Sequence, residues 1–356
     1  MRTEPFSRRH LLQLAAGLSS VAVPGMVRAQ SAIQPAPRPA ARDGNFVTQA
    51  ASIEVNARPI ASFDPRDRTH LRFGSLQWRS GLVLTSSFRG FGGLSGLRLD
   101  PKGERFIALS DKGTWFTGRI VYSGREMTGL ADVEASPMIG PDGRPITACG
   151  WFDSESLALD GSFVYVGLER VNLVLRFDFS KGFTRARGEL FPMPPLVRRL
   201  PYNRGLEALV FVPKGQPLAG TLIAMSERGL DADGNLMAFL VGGPTPGQFA
   251  IRRTKDFDIS DAVLLPAGDL LILERKFSWL SGVGIRIRRI PMASVAPGAV
   301  VDGPSIFDAD LGQEIDNMEG IDAHVTPEGD TVLTLISDDN FSLLQRTLLL
   351  QFTLVE

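Results

Sequence analysis

The segment Leu94-Ser95-Gly96-Leu97-Arg98-Leu99-Asp100-Pro101-Lys102-Gly103-Glu104-Arg105-Phe106-Ile107-Ala108-Leu109-Ser110-Asp111-Lys112 decides the fold. It reads as a strand from Gly96 to Leu99, a turn at Asp100-Pro101-Lys102-Gly103, a return strand from Arg105 to Leu109, and then charge. Four more cassettes follow the same plan. Ser154-Glu155-Ser156-Leu157 runs to Leu168-Glu169-Arg170, and Leu206-Glu207-Ala208-Leu209 to Ser226-Glu227-Arg228. Ser260-Asp261-Ala262-Val263 runs to Leu273-Glu274-Arg275, and Met318-Glu319-Gly320-Ile321 to Ser337-Asp338-Asp339. The second positions, Ser95, Glu155, Glu207, Asp261 and Glu319, are spaced 60, 52, 54 and 58 residues apart. A repeat of that length filled with strands predicts the blades of a β-propeller.

Turn chemistry supports each hairpin: Asp160-Gly161, Pro213-Lys214-Gly215, Pro266-Ala267-Gly268-Asp269 and Pro327-Glu328-Gly329-Asp330 separate the strand pairs. Further strands are read at Trp115–Tyr122 and Thr347–Leu354, and no segment sustains a 3.6-residue period. The expectation is an all-β propeller of five or six four-stranded blades, closed by pairing of N- and C-terminal strands. Gly81 to Thr85 supplies the outer strand missing after Leu354, which gives five blades. Residues 45–80 hold enough strand for a sixth.

The flanks divide the chain of 356 residues. Ser7-Arg8-Arg9-His10-Leu11-Leu12, the apolar stretch Leu11 to Val23 and Val27-Arg28-Ala29 read as a twin-arginine signal peptide over residues 1–29. An Ala/Pro/Arg-rich leader, expected to be disordered, covers residues 30–45, and residues 46–356 form the propeller domain. This predicts a periplasmic or secreted protein. No other stretch approaches the ~20 apolar residues of a membrane span. A net charge of −1 without a basic stripe excludes a nucleic-acid partner. Cys149 is the only cysteine, so no intrachain disulfide forms, and its place beside Gly150-Trp151 suits a small buried residue.

In a propeller the first strand of a blade starts on the face where the second ends. Ser95, Glu155, Glu207, Asp261 and Glu319 at strand starts should therefore meet Asp111, Glu169, Glu227, Glu274 and Asp338 at strand ends. Lys112, Arg170, Arg228, Arg275 and Lys276 follow at the margin. Carboxylates gathered on one axis repel, so they need a cation, protons or arginine partners. An oxygen-rich ring suits a hard divalent ion, Ca²⁺ above others. On this reading Glu155, Glu207, Asp261 and Glu319 hold the metal, and Asp111 or Asp338 activates water. Arg170, Arg204, Arg228 and Arg275 grip a small anionic substrate. Few other chemistries have the residues they require. His10 lies in the signal, His324 points toward the opposite face, and His70 sits in a charged turn, which argues against a Ser-His-Asp triad. Cys/His zinc sites lack ligands, and neither a Walker nor a dinucleotide glycine motif is present.

One ordered set of motifs resembles a known family. It comprises Phe91-Gly92-Gly93-Leu94-Ser95-Gly96-Leu97, Asp153-Ser154-Glu155-Ser156-Leu157 and Asn203-Arg204-Gly205-Leu206-Glu207-Ala208-Leu209. Leu265-Pro266-Ala267-Gly268-Asp269 leading to Leu273-Glu274-Arg275-Lys276-Phe277-Ser278 belongs to it. So do Asp316-Asn317-Met318-Glu319-Gly320-Ile321 and Ser337-Asp338-Asp339-Asn340-Phe341. Across about residues 70–356 the chain resembles the bacterial phytase-like family, described as having esterase-like activity of phytase. The resemblance implies an exported propeller that hydrolyses esters or phosphoesters, and it carries no catalytic constellation with it. Beside a metal-assisted hydrolase stand two other readings, a non-catalytic periplasmic binder of an anionic ligand or envelope partner, and a structural propeller whose charges only hold its blades together.

Overall fold

In the computed structural model each cassette lies in one sheet with its first strand innermost, antiparallel throughout except where Val300–Val301 runs parallel to the edge of the third. The structure describes residues 46–278 and 282–355, so the signal and leader assigned above lie outside it. The inner strands are Leu94–Leu99, Ser154–Asp160, Leu206–Phe211, Asp258–Leu264 and Asn317–Val325. Arg105–Ser110, Phe163–Leu168, Thr221–Leu230, Leu270–Ser278 and Thr331–Asp338 return beside them. Thr114–Ser123, Leu173–Asp178, Leu236–Gly242, Gly282–Ile290 and Thr347–Leu354 come third. The outer strands are Glu126–Pro137, Glu189–Phe191, Gly247–Ile251, Ser305–Asp310 and, for the fifth blade, Leu76–Thr85. Five such sheets form the ring, and no α-helix occurs among the described residues.

The count settles at five blades because residues 46–80 edge existing blades instead of making another. Leu76–Thr85 runs antiparallel to Thr347–Leu354, with Gly81 opposite Leu350 and Leu84 opposite Thr347. Asn56–Pro59 adds to that edge, while Ala51–Ser52 pairs with the outer strand of the first blade. The first and last parts of the domain are therefore hydrogen-bonded into one sheet, which leaves no open seam.

The core lies between blades. Five apolar clusters each draw side chains from two successive sheets. Leu271, Leu273 and Ile287 of the fourth blade meet Ile321, Leu333 and Leu350 of the fifth, for example. Phe63, Phe73 and Leu76 from the N-terminal segment fill the same slab, and Phe63 meets Phe352 edge-on with centroids 5.0 Å apart. Each fully buried side chain of this size contributes roughly 1.5–3 kcal/mol. That burial, together with the ladder to Thr347–Leu354, holds the N-terminal segment in place. No helix among the described residues is long and apolar enough to cross a membrane.

Candidate functional site

A β-bulge at the start of every inner strand builds the mouth. Leu94 pairs with Ser110 and Gly96 with Leu109, so Ser95 is the extra residue of the first blade. Register shifts of the same kind fall at Glu155, Glu207, Ser260 and Glu319. A bulged residue leaves the ladder and re-aims its side chain. The residues that end the second strands at the same level are Asp111, Glu169, Glu227, Arg275 and Asp338.

The fourth blade departs here from the sequence alignment of cassettes. Ile259 pairs with Glu274 and Asp261 with Leu273, so Ser260 takes the bulge and Arg275 the ring position. One residue of offset turns a side chain to the other face of a sheet. Asp261 consequently lies apart from Glu155, Glu207 and Glu319 and accepts both ends of the Arg98 guanidinium, at 2.8 and 3.1 Å. Glu274 leaves the mouth too. It is fully buried and accepts from Arg286 Nε at 2.8 Å and from Arg288 at 2.6 and 2.8 Å.

The remaining carboxylates form two overlapping groups between the second and third blades. Asp153, Glu155 and Glu169 offer oxygens within 4.8 Å of one another, and so do Glu169, Glu207 and Glu227. These buried acidic clusters could hold a metal ion. Asp153 sits in the left-handed region at φ 64°, in the segment that delivers Glu155, and Glu169 Oε1 accepts from Gly205 N at 3.0 Å. Asp111 and Asp338 belong to the first and fifth blades, and the Asp111 carbonyl accepts from Asp153 N at 2.7 Å. Gly93 is required there: its φ is +62°, and a β-carbon would fall 2.3 Å from Asp111 Oδ1.

The four arginines fare differently. Arg275 projects into the ring and donates to Glu319 Oε1 at 2.5 Å, Glu207 Oε1 at 3.2 Å and Glu227 Oε1 at 3.5 Å. Arg170 donates to Asp153 Oδ2 at 2.7 Å and stacks over the Phe152 ring, 4.4 Å from its centroid. Arg228 pairs with Asp258 and so ties the third blade to the fourth. Arg204 is half-buried in the loop before Glu207, and its side chain has no hydrogen bond or ion pair among the described residues. The sequence reading passed over Arg98, although a lone arginine inside Leu97-Arg98-Leu99 marks a buried charge needing a partner.

Electrostatically the mouth is overloaded with negative charge. Burial, reinforced by Glu169, Glu227 and Glu155, pushes the Glu207 carboxyl well above the usual range despite Arg275. Glu227 is raised by burial as well. Burial and then Glu319 and Asp111 push Asp338 well up, against the amide of Asn340 donating at 2.6 Å. Burial opposes the charge on Arg275, but Glu319, Glu227, Glu207 and Glu155 outweigh it and hold that guanidinium protonated. Glu207 Oε2 is sealed from solvent without a hydrogen-bond donor among the described residues. Such an atom costs on the order of 1–3 kcal/mol unless something fills its place.

Similarity to known proteins bears on the whole domain. No functionally curated protein matches the sequence. Among solved structures, the chain is similar to a glutaminyl cyclase from Myxococcus xanthus, with 14% identity and a TM-score of 0.37 over 86% of this chain and 97% of that one. A protein of unknown function from Bacteroides caccae aligns with 10% identity and a TM-score of 0.30 over 67% of each chain. Residues 89–341 match the phytase-like family, described as esterase-like activity of phytase. That span runs from the approach to the first inner strand to the loop after Asp338 and takes in every ring position, so the chain belongs to the phytase-like family.

Proposed function

We propose that the chain is an exported hydrolase of phosphoesters or related esters, assisted by a divalent metal ion at the acidic mouth. The observation that carries this reading is Glu207: its Oε2 is buried without a donor while Glu169 and Glu227 crowd it. An orphaned oxygen in an all-carboxylate setting fits a hard cation, and calcium takes six to eight oxygens in flexible geometry. Glu155, Glu169, Glu207 and Glu227, with Asp153, would hold it. When bound, such an ion polarises the ester or phosphoryl oxygen and makes a water acidic enough to attack near neutral pH.

The other residues supply binding and proton handling. Arg204, whose side chain has no hydrogen bond or ion pair among the described residues, binds the anionic group beside the cluster. Arg275 stays fixed by three carboxylates and balances their charge. Asp338, whose carboxyl is pushed well up by burial and its acidic neighbours, gives a proton to the leaving oxygen, with Asp111 as the adjacent base. Export rests on Ser7-Arg8-Arg9 and the apolar segment behind it.

Blade-locking accounts for other members of the charged set, because Arg98–Asp261 and Arg228–Asp258 each join different blades. Locking leaves Glu207 Oε2 without a role. The test is hydrolysis of p-nitrophenyl phosphate and p-nitrophenyl acetate by the purified protein, with Ca²⁺ or with chelator. Turnover that chelator removes and Glu207→Gln abolishes is expected. No turnover with any divalent ion would sink the reading and leave a binder of anions.

A further inference from the structure

We infer that the mouth holds two divalent cations side by side, with Glu169 as the carboxylate that bridges them. The inference rests on the metal reading above and adds number and arrangement. Asp153, Glu155 and Glu169 form one oxygen group and Glu169, Glu207 and Glu227 the other, so Glu169 is common to both. Two oxygens on one calcium, each about 2.3–2.6 Å from it, can stand no more than about 5 Å apart. The oxygens within each group lie within 4.8 Å of one another, so each satisfies that limit without rearrangement.

An acidic cluster alone would not require an ion. Here Glu207, a member of the second group, has its Oε2 sealed from solvent with no donor among the described residues, while Oε1 is held by Arg275 at 3.2 Å. The carboxylate is fixed by one oxygen, leaves the other without a donor, and stands in the group it forms with Glu169 and Glu227.

Charge decides between one ion and two. Asp153, Glu155, Glu169, Glu207 and Glu227, with Glu319 on the same Arg275, carry six formal negative charges, and Arg170 and Arg275 return two, leaving four. One divalent ion leaves the patch at a formal −2, which repels an anionic ester. Two bring it to zero, which removes that repulsion. The side chains of Glu227 and Arg275 are 18% and 22% exposed, so the second group opens to solvent at the mouth and ions can enter.

The experiment is equilibrium dialysis of the chelator-treated protein against Ca²⁺, paired with electron paramagnetic resonance of the Mn²⁺-loaded protein. Two Ca²⁺ per chain and a spin-coupled Mn²⁺ pair are expected. Glu155→Gln and Glu227→Gln should each leave one ion, and Glu169→Gln should weaken both sites at least tenfold and abolish the coupling. One ion or none at saturating Ca²⁺ overturns the inference, as does a Mn²⁺ spectrum of isolated ions. The wild-type spectrum is decisive even if a variant fails to fold. Two bound ions without ester turnover would support this arrangement while sinking the hydrolase reading. Turnover with a single ion would do the reverse.

Discussion

Arg98 and Asp261 meet across the axis of the ring, from the non-adjacent first and fourth blades, in a two-pronged ion pair of 2.8 and 3.1 Å. The same guanidinium donates to the carbonyls of Leu97, Leu209, Ala262 and Ile321, which belong to four different inner strands. A buried charge with this many acceptors acts as a hub. Removing one partner strands the other, which typically costs about 3–5 kcal/mol. Arg98→Met should therefore lower unfolding free energy by about that amount in urea melts. Arg98→Met combined with Asp261→Leu should recover much of the loss. A single-variant loss below about 1 kcal/mol would mean that the pair is dispensable.

Glu207 separates a binding role from a structural one. Glu207→Gln keeps an acceptor for Arg275 and removes a charge that burial and three carboxylates disfavour. The variant should unfold at the same temperature as the wild type or higher when chelator is present. Its Ca²⁺-dependent rise in unfolding temperature should shrink, and ester turnover should fall at least tenfold. A variant that melts much lower in chelator would instead show that the charge holds the blades.

The blades were legible in the sequence because turn chemistry and strand alternation repeat with them, and the ring of carboxylates followed from that repetition. The register within the fourth blade was not. Ser260-Asp261 resembles Ser154-Glu155, and Leu273-Glu274-Arg275 resembles Leu168-Glu169-Arg170, yet the bulge falls at Ser260 and not at Asp261. Bulge position depends on how the strand packs against its neighbours, which residue types do not encode locally. The offset moves Glu274 into the sheet beside Arg286 and Arg288. It also places Arg275 where the other four blades carry an acid. Glu169 and Asp153 were visible as acidic residues, but only the meeting of the second and third blades joins them with Glu207 and Glu227.

Arg275 is the built-in counter-charge of the ring, so its loss should be partly replaceable by metal. Arg275→Met leaves Glu207, Glu227 and Glu319 without their shared guanidinium. Without calcium the variant should lose several kcal/mol, on the scale of about 3–5 for a broken buried pair. Ligand binding to the native state adds about 2.7 kcal/mol at one hundred times Kd. Calcium should therefore stabilise the variant more than it stabilises the wild type, measured as a larger rise in unfolding temperature. Equal shifts in the two proteins would show that Arg275 and the ion do not share these carboxylates.

Asp322 gives the fold a pH dependence of defined sign. Its Oδ2 accepts from Leu99 N at 2.6 Å and so joins the fifth blade to the first. Burial raises its carboxyl to about 6, against the opposing pull of Arg98 and the amides of Leu99 and Ala323. In the unfolded chain the same group titrates near about 3.9. Between those values the native state holds more protons than the unfolded state, so stability falls as pH rises. The contribution is complete below the unfolded value and lost as pH climbs through about 6. Two pK units correspond to roughly 3 kcal/mol. Glu207, Glu227 and Asp338 are shifted in the same direction, so the wild-type slope sums several groups. Comparison with Asp322→Asn isolates one of them. Asparagine keeps an acceptor for Leu99 N and stays neutral at every pH. In chelator-containing urea melts the variant should match the wild type near pH 3 and exceed its stability at pH 8. A variant no more stable than wild type at pH 8 would mean that Arg98 and the backbone amides outweigh burial at this joint.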